Sequence, residues 1–207
     1  MVDVVALLGA GADFFEMSTI VRSLPRRATK RRRSRTPYPL DVVYAQAGID
    51  PPLTTPLAPE RIPSPYRSLL VHERDMTLTL EEHFGGRVTL RALSTFHDGR
   101  SYFRRVLLVQ EYSARPVEMG AIRIDLDAFK ARIRGAILRN KVPLGRLLRD
   151  GGVDYKSRPT QFLSVKPNSE MMGVFWMREP RTLFGRQTAM SVDGRKIGDI
   201  VEILPLV

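Results

Sequence analysis

The chain has 207 residues, with 33 Lys and Arg against 22 Asp and Glu for a formal net charge of +11, 43% hydrophobic residues, 15 Gly, 15 Pro and no Cys. That length supports one globular domain with its own core plus an appendage, and the absence of cysteine excludes disulfides, thiolate metal sites and thiol mechanisms. No run approaches the ~20 apolar residues of a membrane-spanning helix, and Asp3 and Asp13 stand where a secretory leader would be basic and apolar, so the expectation is a soluble, cytoplasmic protein.

The charge is unevenly placed. Residues 1–21 carry −3, residues 22–35 carry +8, and residues 36–207 carry +6. The segment 1–35 therefore reads as an acidic and then Arg-rich extension that like-charge repulsion keeps extended. Arg26, Arg27, Lys30, Arg31, Arg32 and Arg33 offer weak contact with a polyanion through phosphate neutralisation. No aromatic residues interleave them, so a solvated linker is the plainer reading. The early glycines of VDVVALLGAGADFF do not make a dinucleotide-binding turn, because Phe14 takes the third glycine's place and no alternating strand–helix pattern follows.

Residues 36–65 hold eight prolines, which predicts an irregular lead-in without a helix or an inner strand. The domain proper is expected over 66–207. Ser64 and Pro65 suit the start of a short helix carrying Leu69 and Leu70. A second helix is expected with Asp75 as its cap, Met76, Leu80 and Phe84 on one face, and Gly85 as its stop.

Two β-rich runs flank Asp98-Gly99 and predict a hairpin. With a two-residue turn, Phe96 pairs with Ser101. Strict alternation then puts Val88, Leu90, Phe103, Arg105, Leu107 and Val109 on one face, and Thr89, Arg91, Leu93, Tyr102, Arg104, Val106 and Leu108 on the other. Both faces are apolar enough to be covered, so an arginine there must reach water or meet an anion. Arg105 is expected to extend its head to water.

Residues 123–127 predict a short strand, followed by an amphipathic helix with Leu126, Phe129, Ile133 and Ile137 on its buried stripe. A further helical turn is expected over 143–148, closed by Gly151-Gly152, then loop to Pro159, strands at QFLSV and GVFWM, and a last hairpin around Asp193-Gly194. Strict pairing there sets Glu202 opposite Gly185, beside Gln187, Ala189, Gly198 and Ile200, a face that periodicity alone assigns to solvent. The element order predicts an α+β fold with an antiparallel sheet. His72, His83 and His97 lack metal-ligand spacing, so no zinc or iron centre is expected.

The ordered motifs ERDMT (73–77), YFRRVLL (102–108), KVPLGRLL (141–148), FGRQT (184–188) and DGRKIGDIVEILP (193–205) resemble the chorismate pyruvate-lyase family over about residues 66–207. Phe184 and Val201 depart from its pattern, which has tryptophan and threonine there. The resemblance implies an antiparallel sheet with helices on it and helical flaps over an internal site. It also implies cofactor-independent conversion of chorismate to 4-hydroxybenzoate and pyruvate. Carried over by motif, Arg104 and Glu202 become catalytic and substrate-binding residues, and Met76 and Leu144 become substrate-binding walls. Arg104 would clamp the ring carboxylate, while Glu202 would hold the oxygen at ring carbon 4 and move a proton. Two alternatives stay open: a non-enzymatic small-acid sensor of the same fold, and nucleic-acid contact through residues 22–35. Oligomeric state and the pathway fed by the product are not legible.

Overall fold

The computed structural model describes residues 36–205; the expected extension over 1–35, with its basic tract, lies outside them. The stretch 36–65 is not irregular as expected. Its prolines cluster at either side of an 11-residue gap, and helix α1 (Leu40–Ala47) forms inside that gap, ending at Gly48. Strand β1 (Leu53–Leu57) then pairs with β5 (Lys156–Lys166) along one side only, and an edge strand tolerates Pro56 because it has no second ladder to serve.

Helix α2 (Tyr66–Leu70) starts at Pro65 without a side-chain cap, so Ser64 does not cap it. Helix α3 (Met76–Phe84) is bounded as the sequence predicts: Asp75 accepts from the Leu78 N–H and Gly85 ends the helix in the left-handed region. Strands β2 (Val88–His97) and β3 (Ser101–Gln110) form the predicted hairpin, but Phe96 pairs with Phe103. Leu93 is an extra residue on β2, and the bulge reverses the faces expected for its first half. Val88 and Leu90 thus join Val106 and Leu108, not Phe103 and Leu107.

Strand β4 runs over Pro116–Asp125, twice the expected length, and a 3-10 turn at Leu126–Ala128 leads to α4 (Ala131–Leu138). Helix α5 (Leu144–Asp150) follows. The run GVFWM is not a strand: Asn168 caps α6 (Ser169–Val174) by accepting from the Met171 N–H, and Trp176 turns out of the helix at φ 56°. Strands β6 (Leu183–Val192) and β7 (Arg195–Leu204) make the last hairpin.

The fold is α+β, with one seven-stranded antiparallel sheet in the order β1-β5-β6-β7-β4-β3-β2. Helices cover both of its faces, so the inner strands β3 and β4 are buried almost throughout and lose the in-out alternation of a half-exposed strand. Residues of α1 and α6 pack with Phe103, Leu107, Val109 and Val201 on one side. On the other, α2 and α3 pack over Val106 and Leu108, and α4 and α5 over Ile122 and Met190.

Arg105 lies on the α1/α6 side and does not reach water. Its side chain is 4% exposed, it donates to Glu170 at 2.9 Å, and its guanidinium sits 4.8 Å from the Tyr44 ring centre. The anion it needed is supplied from α6, an element the sequence reading had misassigned. Arg105→Ala should therefore lower stability by about 3 kcal/mol, because removing one partner strands the other in a mostly buried place. Denaturant unfolding is the measurement.

Candidate functional site

Arg104, one step along β3, points the other way, into a cavity between the sheet and the roof formed by α3 and α5. Three registered rows make the floor. Arg104 aligns with Ile122, Ile200 and Thr188; Val106 aligns with Gly120, Glu202 and Arg186; Leu108 aligns with Glu118. Gly120 sits at the centre, and a Cβ there would come within 3.2 Å of both Glu118 Oε1 and Val106 Cγ2, so only glycine leaves the middle of the floor open.

The roof is anchored through Asp75. Its carboxylate caps α3, accepts from Tyr155 Oη at 2.5 Å and pairs with Arg149 of α5 at 3.0 Å. Arg146 of α5 also pairs with Glu81 of α3. Gly145 permits this approach, since a Cβ on it would fall 2.5 Å from Asp75 Oδ2. Met76 and Leu144, each the first residue of its helix, are thereby brought together over the floor as buried apolar walls. The cavity holds about 60 Å³.

Arg104 is 2% exposed and has no carboxylate partner among the described residues. Among the described residues its side chain makes one hydrogen bond, from Nη1 to Asn140 Oδ1 at 3.3 Å, and Nε has none. Burial lowers its pKa to about 10, still high enough to keep the guanidinium charged at neutral pH. Asn140 in turn donates to Tyr102 Oη and the Leu138 carbonyl, which fixes its oxygen toward Arg104.

Glu202 is 5% exposed, not solvated as alternation alone suggested. The reason is an extra residue, Ile197, on β7, which shifts the register and sets Glu202 opposite Arg186. Arg186 Nε donates to Glu202 Oε2 at 2.5 Å, and Thr188 donates to the same oxygen at 3.1 Å. The Arg186 guanidinium, fully buried, also donates to the carbonyls of Leu70 and His72 at 3.1 and 2.9 Å, tying α2 to the sheet. Burial, then Arg186, hold His72 below the ordinary histidine range, which suits a neutral ring whose Nδ1 accepts from Arg186 at 3.3 Å.

The four residues singled out by motif, Met76, Arg104, Leu144 and Glu202, all line this one cavity. Two others matter that sequence reasoning missed. Arg186, inside the quoted FGRQT motif, was legible only with the bulge that aligns it with Glu202. Glu118 is fully enclosed and lines the cavity, with Oε2 free of any hydrogen-bond partner among the described residues. Burial, then the Glu202 carboxylate, raise its pKa well above the usual carboxyl range. Among the described residues no group of three or more His, Asp or Glu side chains could hold a metal, and no helix is long and apolar enough to cross a membrane.

No family model and no curated protein matches the chain. Among solved structures it is similar to the ligand-binding domain of a putative GntR-family transcriptional regulator from Bordetella bronchiseptica. That match has 14% identity over 56% of this chain and 85% of that one, with a TM-score of 0.42. It is also similar to the C-terminal domain of Yurk from Bacillus subtilis, at 11% identity over 59% of this chain and 90% of that one, with a TM-score of 0.38. The C-terminal domain of the histidine utilization repressor from Pseudomonas syringae matches at 11% over 57% of this chain and 92% of that one, with a TM-score of 0.36.

Proposed function

We propose that this cavity binds a small cyclic carboxylic acid and that the protein is a chorismate pyruvate-lyase. One observation carries the reading: Arg104 is a buried guanidinium lining the cavity, with an unused N–H and no carboxylate partner among the described residues. A buried cation left in that state costs several kcal/mol, which a ligand carboxylate offsets on binding. The ring carboxylate of chorismate supplies it, through a charge-assisted contact of about 1.5–3 kcal/mol. Met76 and Leu144 exclude water, and Gly120 leaves room for a ring.

The chemistry asks little more of the protein. Loss of the enolpyruvyl group makes the ring aromatic, so the site has to hold the substrate and assist proton movement at the Glu202 end. Entry and release run past the roof, whose Asp75 contacts to Tyr155 and Arg149 set how readily it gives way.

A ligand-binding domain without turnover is the second reading. The observation in its favour is that Arg186 and Thr188 already hold Glu202 in an ion pair, an arrangement that a pure binding site uses equally well. Incubation with chorismate decides between them. The lyase reading expects 4-hydroxybenzoate and pyruvate in equal amounts, at a rate unchanged by excess chelator. No turnover, with tight binding of some other small acid, would move the protein to the sensor class.

A further inference from the structure

Two carboxyl groups line the cavity floor, Glu202 and Glu118. Glu202 takes Arg186 at 2.5 Å. Glu118 lies one row further along β4 on the same face, diagonal to Glu202 across Gly120, with Leu108 as its β3 neighbour. Its side chain forms no ion pair among the described residues, and Oε2 is buried without a partner. Arg104 cannot serve it, since the rows of Arg104 and Glu118 are four residues apart on β3, about 13 Å at 3.3 Å per residue. The charged or titratable groups that act on Glu118 are Glu202 on β7, Arg186 on β6 and Asp75 at the start of α3. A second negative charge there would meet Glu202 with no further cation among the described residues to balance it.

We propose that Glu118 is a catalytic residue of this site, a carboxylic acid that keeps its proton and delivers it to the leaving oxygen while the ion-paired Glu202 carboxylate acts as the base. The assignment rests on the lyase reading and deepens it. Two neighbouring carboxyls in environments this different divide into acid and base. Glu202 takes the proton from ring carbon 4, and that C–H electron pair becomes the third ring double bond. The bond from ring carbon 3 to the ether oxygen breaks with its electrons going to oxygen, and Glu118 protonates that oxygen. Enolpyruvate leaves and becomes pyruvate by moving its enol proton to the methylene carbon. Glu202 returns its proton to Glu118, so both groups and the overall balance are restored.

The test uses the full-length protein and Glu118→Gln, which keeps the shape and a hydrogen-bond donor but has no proton to give. The expected loss is about 100-fold or more in kcat, with affinity for 4-hydroxybenzoate by calorimetry changed less than about threefold, since a donor is retained. Stability supplies an independent readout. A carboxyl whose folded pKa lies above its unfolded value leaves the folded state fully stable below about pH 4.3, and that stability is lost as pH rises toward the folded pKa. Glu118→Gln should accordingly have a higher Tm than the wild type at pH 7.5 and not at pH 4. An unchanged kcat beside active wild type would overturn the acid role and leave the lyase reading standing. Equal Tm differences at both pH values would show that Glu118 does not hold its proton and would also overturn it. A wild type that does not convert chorismate removes the lyase reading and the proton delivery together.

Discussion

Arg104→Ala should lower kcat/KM for chorismate by about 30- to 1000-fold, equivalent to roughly 2–4 kcal/mol of transition-state stabilisation. The substitution removes the only cation that the described residues place at its end of the floor and leaves a buried ligand carboxylate without a partner. It should not weaken the fold. A guanidinium 2% exposed with one hydrogen bond of 3.3 Å and an unpartnered Nε is a desolvated charge, so the shortened side chain should leave Tm equal or higher. Loss of activity with retained or improved stability separates Arg104 from its neighbour. Arg105→Ala should do the reverse, because Arg105 has Glu170 and the Tyr44 ring as internal partners.

The second large effect is on stability. Arg186→Met should destabilise the protein by about 3–5 kcal/mol, a drop of roughly 10 °C in Tm at about 2–4 °C per kcal/mol for a domain of this size. Methionine fills much of the volume but leaves Glu202 buried without its cation and the carbonyls of Leu70 and His72 without their donor. Adding Glu202→Gln should recover part of the loss, because the stranded charge disappears while the carbonyls stay unpaired. Thermal unfolding of the two single variants and the double variant measures this coupling. Additivity would mean that the pair is energetically idle.

Why some of this was legible in the sequence and some not comes down to bulges and to burial on two sides. On β3 the alternation of Tyr102, Arg104, Val106 and Leu108 with Phe103, Arg105, Leu107 and Val109 follows from the strand period alone. Single extra residues at Leu93 and Ile197 shift the partner strands. No local pattern announces them, so Val88, Leu90 and Glu202 were set against the wrong neighbours. The start of β4 was invisible for a related reason: Glu118 and Gly120 interrupt its apolar run, and these are the residues that face the cavity. Arg105 was misjudged because its anion comes from α6, 65 residues away, in a segment whose helix depends on the Asn168 cap more than on any periodicity. Helix α3, with Asp75 and Gly85 at its ends, was readable because caps are local signals. Convergence of Met76, Arg104, Leu144 and Glu202 was anticipated from motif order, and physical reasoning adds why each is there.

The central claim is that Arg104 and the Glu202 end of the floor hold the two ends of one ring. A crystal structure of the protein with 4-hydroxybenzoate tests it most directly. The account predicts the ring over Gly120, its carboxylate within hydrogen-bond distance of the Arg104 guanidinium and its hydroxyl toward Glu202. A ring bound outside this cavity, or one reversed with its carboxylate at Glu118 and Glu202, would contradict it.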